Sequence, residues 1–170
     1  MHTLAKLSVR AALAAALALL LWITASLYGE KLLVAEAASL SLILDALNVE
    51  HVRIGRTIYI HYMGETIGFQ VEWHCSGLVS YTMLLIPSIL LPIRLRRRIY
   101  WLMTGFFVLY FANVLRMLII LLTFTQWGLD AAMHVHILAG PILLLGSVAV
   151  LLALQVTELV KGAQRYEDRH

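Results

Sequence analysis

A thiol, a guanidinium and an imidazole stand in or at the edges of three apolar stretches of this chain. Cys75, the only cysteine, opens an uncharged run after Trp73-His74; Arg116 interrupts a second run and His136 opens a third. Together the three can perform acyl transfer. A thiol ordinarily titrates at about 8.5, its thiolate is the nucleophile, and a helix N-terminus or a nearby cation favours that form. His136 can take the thiol proton and return it to a leaving amine. Arg116 keeps its charge, so its fork of donors suits an oxyanion or a substrate carboxylate better than the work of a base. Ser76 and Gly77 lack bulk, which admits a carbonyl to the sulfur and leaves backbone N–H groups free to meet it. Asn113 shares a helix face with Arg116 and would orient the guanidinium or hold the substrate backbone.

Each residue also has a plainer reading. A lone cysteine in an apolar helix is commonly a small filler. His136 can be an interfacial histidine, with His134 competing for any role given to it. Arg116 is harder to set aside, because a charge within a membrane span costs at least a few kcal/mol and should face a cavity or partner. The apolar stretches offer no carboxylate to pair with it, which leaves Asp130 as the nearest candidate.

The elements that would position these residues follow from composition and period. With 61% hydrophobic and 14% charged residues in 170, the chain is too apolar for a soluble domain of its length. A single cysteine excludes an internal disulfide framework and a multi-cysteine zinc site. The expected architecture is an all-α membrane protein forming one domain over 1–170. Four transmembrane helices are expected at about 11–28, 75–93, 99–125 and 136–157, with an extracytoplasmic insert at 29–74. Lys6 and Arg10 before the first run also fit a secretory signal peptide, but no A-x-A pattern closes it. Within the insert, Leu32, Leu33, Leu40, Ile43, Leu44 and Leu47 recur at helical spacing, broken by Glu36 and Asp45, as in an amphipathic helix. Residues 51–71 then alternate with period two around Met63-Gly64-Glu65 and read as a small β-hairpin.

Basic residues orient this arrangement. Lys6, Arg10, Arg94, Arg96, Arg97, Arg98, Lys161, Arg165 and Arg169 fall on one side of four spans. The positive-inside rule makes that side cytoplasmic, with both termini. Cys75, Arg116 and His136 then meet near the opposite, extracytoplasmic face.

The ordered set Cys75-Ser76-Gly77, Asn113-Val114-Leu115-Arg116 and His136-Ile137-Leu138-Ala139-Gly140 resembles the three signatures of the exosortase/archaeosortase family. The likeness covers about 72–155. It implies a membrane-embedded cysteine protease and transpeptidase with Cys75 as acyl-forming nucleophile and Arg116 and His136 as the other catalytic residues. The histidine at the third position places the chain nearer the exosortase type. The resemblance also implies substrate proteins that end in a short motif, a transmembrane helix and a basic tail. They would be cut near the motif and passed to a lipid or glycolipid acceptor. The chain departs from many family members in having one span before the cysteine. Its hairpin stands beside the expected site and would read the motif as an added strand. No cofactor, metal or nucleic acid is expected as a partner.

Two other classes compete. His74, His134 and His136 would serve a haem- or metal-binding membrane protein, although two histidines spaced as His-x-His point apart on a helix. In a non-catalytic subunit of a membrane complex, Arg116 would pair with a partner's carboxylate.

Overall fold

The N-terminal third of the chain is rich in alanine and leucine, has no proline, and forms one unbroken helix, α1, His2–Ala46. The computed structural model describes residues 2–167. The expected span at 11–28 and the expected amphipathic helix after it are therefore a single rod. Gly29 does not divide them, and it is needed for a different reason. The Trp73 ring lies so close that a Cβ at Gly29 would fall 2.0 Å from it. The helix stops at Asn48, whose left-handed φ of 54° ends it as helix C-termini commonly end.

Three antiparallel strands follow in the order β1-β2-β3: β1 His51–Ile54, β2 Thr57–Tyr62 and β3 Glu65–Gln70. Only a hairpin was expected. The first alternating run is cut in two at Gly55, whose φ of 60° makes a tight turn closed by Ile54 and Thr57. Alternation aims Ile58 and Ile60 inward, where they are buried. Their cluster includes Leu33, Ala37, Leu40 and Leu44 of α1. It also includes Val114, Met117, Leu121 and Phe124 of a later helix. Tyr62 and Phe69 set their rings against Phe124 at 4.9 and 4.7 Å, which fastens the sheet to that helix.

A short 3-10 turn, Trp73–Cys75, leads into α2, Gly77–Leu90. At 14 residues α2 is about 21 Å long, less than the roughly 30 Å hydrocarbon core that a span at 75–93 was expected to cross. Its exit is tied down by Arg98, which donates to the carbonyls of Leu91 and Ile93 at 3.0 and 3.3 Å.

The last element, α3, runs Leu95–Glu167 with one non-helical residue, Gly128 (φ 81°, ψ −173°). That backbone region is essentially closed to other residues. The arms on either side fold back against each other. Leu109 packs with Val148 and Leu151, and near the far end Glu158 accepts from the Trp101 indole at 2.6 Å and pairs with Arg97 at 3.0 Å. The expected loop between 125 and 136 is replaced by helix carried up to and away from that one glycine.

The expectation of about four transmembrane helices is thus overturned. Among the described residues one helix, Leu95–Lys161, is long and apolar enough to cross a membrane. Hydropathy marked a break at Gly29, where the helix continues, and a loop between 125 and 136, where Gly128 alone interrupts it.

Phe124, with no exposed surface, is the joint between sheet and helix. Phe124→Ala should destabilise the detergent-solubilised protein by about 3–5 kcal/mol in a denaturant titration. Gly128→Ala should cost about 1–3 kcal/mol through backbone strain, since its new methyl meets open space apart from the Tyr62 hydroxyl at 3.4 Å. Unfolding midpoints equal to the parent's would contradict this packing scheme.

Candidate active site

The fold brings Cys75, Arg116 and His136 to one cavity of about 370 Å³. Cys75 comes from the 3-10 turn, Arg116 from the first arm of α3 and His136 from its second arm. The sheet supplies the remaining wall, because Ile67 to Val71 line the same space along β3. Otherwise the walls are apolar, with Leu40, Ile58, Met117, Leu121 and Met133 among them. A largely apolar cleft with a few convergent polar groups is the usual form of a binding or active site.

Cys75 is half-buried at the point where chain direction changes. Its own N–H donates to Glu72 O at 2.8 Å, and the Ser76 N–H donates to Trp73 O at 3.1 Å. Ser76 then caps α2, its Oγ accepting from the Leu78 N–H at 3.2 Å. The Gly77 N–H is also engaged, at 3.2 Å from Glu36 Oε1. The backbone donors after the cysteine, expected to be free for a substrate carbonyl, are therefore spent on structure. Gly77 has a packing task instead: a Cβ there would meet Leu109 O at 3.2 Å and Asn113 Cβ at 3.4 Å.

Arg116 is 7% exposed and its Nε finds no hydrogen-bond partner among the described residues. Gly140, four residues after His136, lets the arms of α3 close around it, since a Cβ at that position would fall 3.1 Å from Nε. Asp130, the carboxylate expected to balance Arg116, is exposed, and its carbonyl takes the His134 Nδ1–H at 2.7 Å. His134 is exposed and absent from the cavity walls, whereas His136 lines them. The His74 side chain lies outside those described. Among the described residues no group of three or more His, Cys, Asp or Glu is placed to hold a metal ion.

The carboxylate that faces Arg116 is Glu36, 1% exposed on α1. From the sequence it reads as a break in an amphipathic helix. The available signal was its position. Leu33, Ala37, Leu40 and Leu44 form the buried stripe of α1, and Glu36 lies on that stripe. Its Oε1 accepts from the Gly77 N–H and, at 3.4 Å, from the Ser76 hydroxyl, while Oε2 has no hydrogen-bond partner. Burial pushes the Glu36 carboxyl up from 4.5 to about 7, opposed by those two hydrogen bonds, the Asn113 amide and the Arg116 guanidinium. Asn113 itself is fully buried, and neither amide atom reaches a partner in good hydrogen-bonding geometry.

The arrangement holds a thiol, a permanent cation and an imidazole around one largely apolar cavity. Comparison with known proteins gives it a context. No curated protein and no solved structure is significantly similar to the chain. A sequence profile described as transmembrane exosortase matches residues 2–154, which takes in α1, the sheet, α2 and most of α3 as well as the three motifs. The chain therefore belongs to the transmembrane exosortase family, a family of membrane cysteine transpeptidases.

Proposed function

We propose that this membrane protein cleaves C-terminal sorting signals of surface proteins through a Cys75 thioester and transfers them to a membrane or surface acceptor. The observation that supports this most is the meeting of the chain's single thiol with Arg116 and His136 on one apolar cavity. In the first half-reaction His136 takes the Cys75 proton as the sulfur attacks the scissile carbonyl. The carbonyl oxygen becomes an oxyanion. With the Ser76 and Gly77 N–H groups already bonded, the unpartnered Nε and the rest of the Arg116 fork are the donors that suit it. Collapse of the intermediate breaks the C–N bond, and His136 returns the proton to the departing amine. In the second half-reaction an acceptor nucleophile gives its proton to His136, attacks the thioester and releases the thiol. Water in that role gives hydrolysis.

The substrates that fit carry a short motif, an apolar transmembrane helix and a basic tail. A lipid or glycolipid is the acceptor class. The motif lies extended along β3, whose outer edge has no neighbouring strand in the sheet and whose residues line the cavity. Strand addition uses the free N–H and C=O groups of every second residue of that edge. Asn113, Ser76 and Gly77 support the site by packing and capping.

The exposed Arg94, Arg97 and Lys161 line one pocket beyond the end of α2 that lies away from Cys75. Placing that end in the cytoplasm satisfies the positive-inside rule and sets Cys75 on the extracytoplasmic side.

Cys75→Ala should leave the protein in the membrane and abolish removal of C-terminal apolar helices across the host's surface proteins, read by proteomics of their C-terminal peptides. Cys75→Ser should lose at least roughly a thousandfold, because an unactivated hydroxyl replaces the thiolate. Normal processing in both variants would sink the assignment. Arg116→Lys keeps the charge but loses the fork, and its processing rate should fall about 100-fold or more. A rate within about threefold of the parent would instead make Arg116 a simple counter-charge. In intact cells a membrane-impermeant maleimide should label Cys75; labelling only after lysis would reverse the sidedness.

A further inference from the structure

Glu36 is tied to the residues on the C-terminal side of the reactive sulfur. Its Oε1 takes the first N–H of α2, from Gly77, and the hydroxyl of Ser76, which in turn caps Leu78. One buried carboxyl group thus anchors both capping donors of the helix that Cys75 precedes. No other acidic side chain among the described residues reaches this turn by hydrogen bond or ion pair. Partner atoms are also lacking around it, at Glu36 Oε2, Asn113 Oδ1 and Nδ2, and Arg116 Nε. Such a cluster is sensitive to any charge change, since little solvent reaches it.

We infer that Glu36 is a positioning residue for Cys75, pinning the Ser76–Gly77 turn to α1 and setting the charge at the start of α2. This rests on the reading of Cys75 as the nucleophile. The carboxyl acts through Gly77 and Ser76 and does not touch the substrate. When ionised it offsets both Arg116 and the positive end of α2, and so holds back thiolate formation. When protonated it leaves those positive potentials to act on the sulfur. The exchange falls in an accessible range, because burial sets the Glu36 carboxyl at about 7. The other titratable and charged groups facing Glu36 are Arg116 and Tyr110 from α3 and Tyr81 from α2; Arg116 also acts on His136, and Cys75 is reached through Ser76 and Gly77.

The chain's single cysteine makes the test direct. Full-length protein in detergent or nanodiscs is alkylated with iodoacetamide, a small neutral probe, from pH 6 to 9. Glu36→Gln keeps an oxygen acceptor for Gly77 and Ser76 but carries no charge at any pH. The ratio of its alkylation rate to the parent's should be near one at pH 6 and rise to roughly three- to tenfold at pH 8, the size expected for one nearby charge. His136 is common to both proteins and drops out of that ratio. A ratio of one throughout, or a constant ratio at every pH, overturns the inference, since a packing role alone would shift all points equally. Should Glu36→Gln fail to fold, the profile of His136→Gln, which has no imidazole beside the sulfur, decides: it must require a second titration near pH 7, and a single titration overturns the proposal. Failure here with substrate processing still dependent on Cys75 would strike this inference alone. Processing that survives Cys75→Ala would strike the transpeptidase reading instead.

Discussion

A cation buried in an apolar helix is the constraint around which the rest of this structure is arranged. Arg116 cannot be neutralised by losing its proton, and an unbalanced charge in such surroundings costs several kcal/mol. On its own helix Asp130 is exposed and Glu158 pairs with Arg97. The carboxyl group that faces it is Glu36, on a different element, carried there because α1 continues well past the point where hydropathy falls. Close approaches hold the neighbouring elements together. Trp73 lies on Gly29, Gly77 lies on α3, and Gly140 allows the second arm of α3 to close over the guanidinium. Each is a place where a methyl group would push apart the elements that hold the two charges in range.

The sheet completes the enclosure. It contributes hydrophobic area through Ile58 and Ile60, an aromatic joint through Tyr62, Phe69 and Phe124, and one wall of the cavity through β3. A cavity of this kind suits acyl transfer, since few polar groups other than the reacting ones compete for a substrate carbonyl. The capped and hydrogen-bonded turn after Cys75 places the sulfur on rigid elements, where a nucleophile is held more tightly than on a loop.

Much of the site was legible in the sequence, because its residues violate their surroundings. A charge within an apolar run, a single thiol before two small residues and a histidine at the start of another run are conspicuous by type. They do line one cavity, although the four-span arrangement from which their meeting was expected does not form. The strand region was legible by its period of two. What escaped notice depends on contacts between distant elements. Glu36 looks like an ordinary polar break until the neighbouring positions on its face are known to be buried. The split of the first strand at Gly55 and the helix reversal at Gly128 each hang on one backbone conformation. Glycine permits such conformations without announcing them. The count of membrane-crossing helices failed because hydropathy windows treat each apolar run as independent, whereas α1 carries helix through its expected boundary, α2 is too short to span, and the break in α3 is one glycine rather than a loop.

The account stands on a covalent intermediate at Cys75. Protein isolated rapidly from its native membranes and digested should yield a Cys75 peptide bearing a peptidyl adduct, released by hydroxylamine as thioesters are. The mass of the adduct should match a host surface protein truncated ahead of its C-terminal apolar helix. A hydroxylamine-labile adduct on another residue, or an unmodified Cys75 while surface proteins are being processed, would contradict the account.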